Sequence, residues 1–572
     1  MKKLLYFMKD YKKESVLAPL FKMLEAFFEL FVPLVVASII DDGIILKNQS
    51  HIIKMCLLLL LLAAVGLTCS ITAQYFAAKS AVGAATGIRY ELFTHIQTLG
   101  YEEMDTIGTS TLITRMTSDI NQVQNGINLV LRLFLRSPFI VFGAMLTIDV
   151  KAAMIFVVAI ILLSIVVFGV MFITKPLYKK VQAGLDTILG TTRENLTGVR
   201  VIRAFRQEQA EYEKFFRQNE QLTLLQKLAG KISGLTNPLT FVIINFAILV
   251  LIHTGAVRVS LGTLSQGQVV ALYNYMSQIL VELIKLANLI ISVTRAMACF
   301  NRIQDVFSIE PSMKEGNEKS TNIRNDVPAV EFKNVSFTYA GGGDHAIENI
   351  SFKAMAGQTI GIIGGTGSGK STLVNLIPRF YDATEGEIDI AGENVREYTY
   401  ESLRKMISVV PQKAQLFAGT IRDNLMFGCP DATEEQIEEA LVISQAKEFV
   451  DTKEGRLDAV VEQGGKNLSG GQRQRLTLAR ALVPQSDILI MDDSASALDY
   501  ATDAKLRKAI QNMKRKPTVF IVSQRTSSIQ DADSILVLDD GKIAGKGTHE
   551  ELIASCDIYR EIYETQFKKE EA

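Results

Sequence analysis

Between Ala152 and Ile173 the chain runs without a single charged side chain. That stretch is long enough for the ~20 residues a helix needs to cross the hydrocarbon of a bilayer. In lipid, every backbone N–H and C=O must find its partner inside the segment, so the run has to be helical. Further apolar runs lie at 17–40, 55–78, 128–149, 236–257 and 266–292, which makes six expected crossings and puts both termini on one side. The composition agrees, since 48% of the 572 residues are hydrophobic and the mean hydropathy is +0.20, more apolar than an ordinary soluble enzyme. The formal net charge of −1 gives no basic field, so nucleic acid is not an expected partner. Five cysteines are scattered without a C-x-x-C pair, so neither a disulfide framework nor a zinc site is indicated.

The connections between the runs alternate in length. Those near 42–53, 149–151 and 258–265 are short, while 79–127 and 174–235 are long and polar. The long ones carry Arg89, Arg115, Lys175, Lys179, Lys180, Arg193, Arg200, Arg203 and Arg206, which places them, and with them the termini, on the cytoplasmic side of the cell membrane. Their helical spacing predicts helices that continue past the bilayer to two tips, Tyr101–Gly108 and the region from Arg206 to Phe216, each expected to touch the following domain. Ahead of the first span, Leu4, Phe7, Met8 and Tyr11 form one face of an amphipathic helix expected to lie on the membrane.

Several ionisable residues fall within the spans: Lys22, Glu25, Glu29, Arg132, Arg136, Glu282 and Lys285. Charge in hydrocarbon is costly, so these should face the bundle interior or a watery cavity. Glu25 and Glu29, one helical turn apart, either offer an acidic face to a cationic substrate or pair with cations of neighbouring helices.

The polar stretch Glu310–Pro328 reads as a linker, so the expected domains are a membrane domain at 1–308, a linker at 309–328 and a soluble domain at 329–572. Residues 329–339 alternate like a strand. Further on, Gly364-Gly365-Thr366-Gly367-Ser368-Gly369-Lys370-Ser371-Thr372 fits G-x-x-x-x-G-K-[ST], with the apolar run Thr359–Ile363 before it and helical spacing after it. Such a loop turns backbone N–H groups onto phosphate oxygens, Lys370 adds a charge for the β- and γ-phosphates, and the Ser371 hydroxyl suits Mg²⁺. The expected ligand is ATP. Tyr339, upstream, is placed to stack on the adenine.

Three more constellations follow. Leu468-Ser469-Gly470-Gly471-Gln472 opens a helix and can present N–H groups and a hydroxyl to a γ-phosphate. Ile488–Asp492 is an apolar strand ending in a carboxylate suited to Mg²⁺. Ser496-Ala497-Leu498-Asp499 comes directly after it. With the glycine loop, and with Gln412 between, they resemble the nucleotide-binding domain of ATP-binding cassette (ABC) transporters. Six spans followed by one α/β P-loop cassette look like a half-transporter of the ABC exporter type.

The resemblance implies a two-chain assembly in which one chain's Leu468–Gln472 signature closes over ATP held by the other. It also implies roles for Gln412 as the Q-loop residue near Mg²⁺, with Ser371 and Asp492, for Glu462 ahead of the signature, and for Asp499 in the D-loop; the two tips would be coupling helices. Two positions depart from the family. Where an active member has Glu after the metal-binding Asp, this chain has Asp493. Where the switch histidine belongs, it has Gln524, which can neither carry a charge nor shuttle a proton. The expectation is therefore the degenerate subunit of a heterodimeric exporter of hydrophobic or amphipathic, multidrug-like compounds. Lipid, peptide or siderophore transport, or an ATP-gated channel, are the other readings.

Overall fold

The computed structural model describes residues 2–137, 139, 150–318, 326–494 and 498–567. The chain divides into two compact units, one made of 1–97 with 110–309 and the other of 98–109 with 310–572.

The first unit is helical. Among the described residues, five helices are long and apolar enough to cross a membrane: Lys9–Ile45, Gln49–Thr98, Met154–Thr197, Glu208–Ser260 and Gln266–Phe307. Half of the expected crossing at 128–149 falls outside the described residues, and the amphipathic helix Ile120–Leu133 covers its start. The helix Gln49–Thr98 has 50 residues, which at 1.5 Å per residue is about 75 Å, more than twice the ~30 Å of hydrocarbon. No proline interrupts it, and a buried stripe of Ala73, Ala77, Ser80, Ala81 and Ala84 lets a neighbour approach closely. Tyr11 uses that access: a Cβ added at Gly83 would lie 2.1 Å from its ring. Ser15 and Ser80 hydroxyls meet at 2.8 Å, and Lys79 pairs with Glu14 at 2.9 Å.

The charges within the spans find one another. Arg136 donates to Glu282 at 3.1 Å and to Glu29 at 2.7 Å, while Ser137 and Lys285 donate to the Glu282 carboxylate at 2.7 and 2.8 Å. Lys22 pairs with Glu25 at 2.6 Å. Glu29 thus meets a cation from another part of the chain, whereas the nearest cation to Glu25 is Lys22 of its own helix, with Arg136 3.9 Å away. At the start of helix Ile120–Leu133, Asp119 accepts from Arg115 and from Arg302, each at 3.0 Å.

The second unit is an α/β domain with two main sheets. The larger runs in the order Lys542–Gly547, Ser534–Asp539, Thr359–Gly364, Thr518–Val522, Ile488–Asp492, Ile407–Val410; all neighbours are parallel except the first pair. Ile488–Asp492 and Thr518–Val522 are buried along their whole length, as strands covered on both faces must be. A smaller antiparallel sheet joins Ile347–Ala354, Val330–Phe337, Glu385–Ile390 and Glu393–Asn394. Helices Glu434–Ile443 and Gly470–Leu482 pack on each other, and their buried residues share one core with the larger sheet.

The tip Tyr101–Ile107 groups with this unit rather than with the helices that carry it. Tyr101 stacks on Phe380 with ring centroids 4.6 Å apart, and the Tyr381 hydroxyl donates to Asp105 at 2.7 Å. Glu103 accepts from the Gly100 N–H at 2.7 Å and from the Ser312 N–H at 3.0 Å. Part of the linker is also docked, with the N–H groups of Gly316 and Glu318 donating to the carbonyls of Tyr398 and Glu397 at 3.1 and 2.8 Å. The second tip belongs to the membrane unit, where the chain breaks at Arg206 (φ 52°) between Val199–Ala204 and Glu208–Gly234.

Candidate nucleotide site

Parallel register brings the chemistry to one edge. Val522 pairs with both Asp492 and Ile362, and Gly364 lies two residues beyond Ile362 on its strand, so the glycine loop, Asp492, Asp493 and the segment leading to Gln524 all emerge at the carboxyl ends of the strands, where open α/β sheets bind ligands. The segment 364–372 leaves strand Thr359–Gly364, turns, and enters helix Lys370–Leu376. Gly369 sits at φ 91°, and a Cβ there would meet the Ala346 carbonyl oxygen at 2.6 Å. A side chain would close the turn.

Lys370 is buried and donates to the Gly364 and Gly365 carbonyls at 3.0 and 2.6 Å. Burial pulls its ammonium below the ordinary lysine value, against the attraction of Asp492 and Asp493. Burial likewise pushes the Asp492 carboxyl up, opposed by the hydroxyl of Ser371, which donates to it at 3.0 Å; Asp493 adds to the rise and Lys370 opposes it. Burial disfavours the charged form of each, and a phosphate beside Lys370 and a divalent cation beside Asp492 would offset that penalty. Ser371 and Asp492 offer two oxygens side by side, which suits Mg²⁺ held by one or two protein ligands with phosphate oxygens completing its shell. The residues present fit ATP with Mg²⁺.

Tyr339 is partly exposed at the rim, its hydroxyl 3.0 Å from that of Thr372. Gln412 is exposed just beyond strand Ile407–Val410. Asp493 holds a left-handed backbone (φ 45°), and its N–H donates to the Val522 carbonyl at 3.0 Å. Gln524 is exposed, with its carbonyl accepting from Gln566 at 2.7 Å. The same Gln566 accepts from the N–H and hydroxyl of Thr526, both at 2.9 Å. This clamp from the helix Asp557–Phe567 carries no local sequence signal.

The signature lies elsewhere on the domain. Leu468 is buried, and Ser469 caps helix Gly470–Leu482 by accepting from the Gln472 N–H at 3.2 Å while Gln472 returns the bond at 3.0 Å. Ser469 and Gly470 face solvent and Gly471 and Gln472 are half-buried, so this helix start is open to a ligand supplied from outside. Glu462 is exposed ahead of it. Asp499 caps helix Tyr500–Gln511 through the Thr502 N–H at 2.8 Å; Ser496 and Ala497 lie outside the described residues. In the membrane unit, Glu25 and Glu29 border a cavity of about 460 Å³ whose other walls include Phe28, Val32, Leu59 and Leu62.

Residues 15–283 match the family described as the ABC transporter transmembrane region, and 347–496 match the ABC transporter family. An uncharacterized ABC transporter ATP-binding protein, YfiB of Bacillus subtilis (strain 168), is 35% identical across 100% of this chain and 99% of its own length. The chain belongs to the ABC transporter family. An ATP-dependent lipid A-core flippase of Mannheimia succiniciproducens is 30% identical over 92% of this chain and 91% of that protein. The fold also matches that of a bacterial Atm1-family ABC exporter with ATP bound, at a TM-score of 0.79, 22% identity, and coverage of 97% of this chain and 98% of that one. This ABC exporter chain is thus a multi-pass membrane half-transporter whose ATPase is coupled to transport.

Replacing Lys370 by Ala is expected to weaken ATP photolabelling of this chain about tenfold or more, the worth of losing a charged hydrogen-bond donor to phosphate. Undiminished labelling would remove the phosphate site from this loop.

Proposed function

We propose that this chain is the degenerate half of a heterodimeric exporter of hydrophobic or amphipathic, multidrug-like compounds. It crosses the cell membrane six times with both termini in the cytoplasm, as domains 1–308 and 329–572 joined at 309–328. The observation that carries the reading is the pairing of two departures at one sheet edge: Asp493 in the general-base position and Gln524 in the switch position, beside an otherwise complete loop at Gly364–Thr372. Its own site binds ATP and Mg²⁺ through Tyr339, Lys370, Ser371, Asp492 and Gln412 but turns it over slowly. Its Leu468–Gln472 signature, with Asp499, serves the ATP of a second half-transporter.

In the competent site of such a pair the partner supplies the base, while Ser469 and the N–H groups that follow stabilise charge on the γ-phosphate. The cavity bordered by Glu25 and Glu29 receives the amphipathic substrate between apolar walls and a polar end. Because one relative is a lipid A-core flippase, a lipid substrate on the same scaffold is the second reading.

ATP turnover should be measured for this chain alone and for the chain co-purified with its partner. The pair is expected to be faster by about tenfold or more, and Ser469→Ala should slow the pair although it lies outside this chain's own site. A homodimer as active as the pair would show that Asp493 suffices as base.

A further inference from the structure

Four side chains form an unbroken series from the nucleotide loop to the tip helix. Thr372, on the helix after the glycine loop, meets the Tyr339 hydroxyl at 3.0 Å. The Tyr339 ring stands edge-on to Tyr381, 5.4 Å between centroids at 85°, and both rings pack against Phe337. The Tyr381 hydroxyl donates to Asp105 at 2.7 Å. All of these residues belong to one compact unit.

We propose that Tyr381 is a positioning residue that passes nucleotide occupancy at Tyr339 to the helix Tyr101–Ile107 through its hydrogen bond to Asp105. The inference rests on the reading of Tyr339 as the adenine contact. A nucleotide loads Tyr339 at both ends, through its ring face and through the phosphate loop to which its hydroxyl is tied. The Tyr339 and Tyr381 rings meet edge to face and both pack on Phe337, so a shift of the Tyr339 ring carries the Tyr381 ring with it. At the far end the phenol–carboxylate bond is charge-assisted and directional, which transmits a displacement that a purely apolar contact would let slip. Burial and the Asp105 carboxylate both hold the Tyr381 phenol above the ordinary tyrosine value, so it remains a donor at physiological pH. Glu103 fastens the same helix to Ser312, outside the series, so one attachment responds to nucleotide while the other stays fixed.

Hydrogen exchange on the purified transporter, with and without Mg-ATP, tests this. In the native protein, ATP should slow exchange both at 364–376 and at 98–109. Tyr381→Phe keeps the ring and removes the hydroxyl; it is expected to keep the protection at 364–376 and lose that at 98–109. Asp105→Ala should do the same, Asp105→Asn, which keeps an acceptor, should retain the response, and the double variant Tyr381→Phe with Asp105→Ala should lose no more than either single change. Native-like protection of 98–109 in Tyr381→Phe would overturn the proposal, as would a native protein protected at 364–376 but silent at 98–109. No protection at 364–376 would instead overturn the nucleotide-site reading.

Discussion

Restoring Asp493→Glu together with Gln524→His is expected to raise ATP turnover at this chain's own site by about two orders of magnitude. A carboxylate one methylene short is set back by about 1 Å or more from the water it should polarise, and a displacement of that size can cost on the order of 10²-fold in rate. Backbone position offers no remedy. Asp493 is held by its N–H on the Val522 carbonyl, and the strand edge cannot advance without breaking the register that pairs Val522 with Asp492. Gln524 is clamped through its carbonyl by Gln566, so a histidine there inherits a positioned backbone and adds the titratable ring that glutamine lacks. Single-turnover hydrolysis by the purified chain is the measurement. Each single change should recover less than the pair, because both act on one step. If the double variant turns over no faster than the native chain, Asp493 and Gln524 are not what limits this site.

Truncating Arg136→Ala is expected to destabilise the membrane unit by about 3 kcal/mol, because it takes a cation from the buried Glu282 carboxylate and leaves the partly exposed Glu29 without its partner. Arg136 is 8% exposed and Glu282 3%. The guanidinium joins Glu282 to Glu29, residues on different spans. Lys285 remains on Glu282 and softens the loss there; Glu29 has no such reserve among the described residues. Removing the stranded charges as well, with Glu282→Gln and Glu29→Gln, should return much of the stability, whereas Lys405→Ala, at an exposed pair with Glu401, should leave the stability close to native. Thermal unfolding in detergent or nanodiscs separates these cases. An Arg136→Ala protein as stable as Lys405→Ala would mean that the cluster is wet and weakly coupled.

The apolar run 152–173, the strand–glycine–helix order at 359–376 and the signature at 468–472 were readable from the sequence because each is local. Hydrocarbon thickness fixes a run length, a phosphate-binding turn fixes glycines beside Lys370 and Ser371, and a helix start fixes Ser469 with Gln472, all within a few residues. The departures at Asp493 and Gln524 were equally readable, since each stands at a fixed distance from a local motif. Which cation answers Glu29 was left open, because Glu29 and Arg136 are far apart in the chain and meet only once the spans are packed. The same holds for the tip Tyr101–Ile107, whose helical spacing was legible but whose hold on Tyr381 and Ser312 was not. For Tyr381 and Gln566 no pattern in the neighbouring residues distinguishes a partner from a surface side chain. Backbone preference and periodicity act over one or two turns and leave a mark in the sequence; the choice of a buried polar group's partner is made by whichever element packs against it, and only the tertiary structure supplies that.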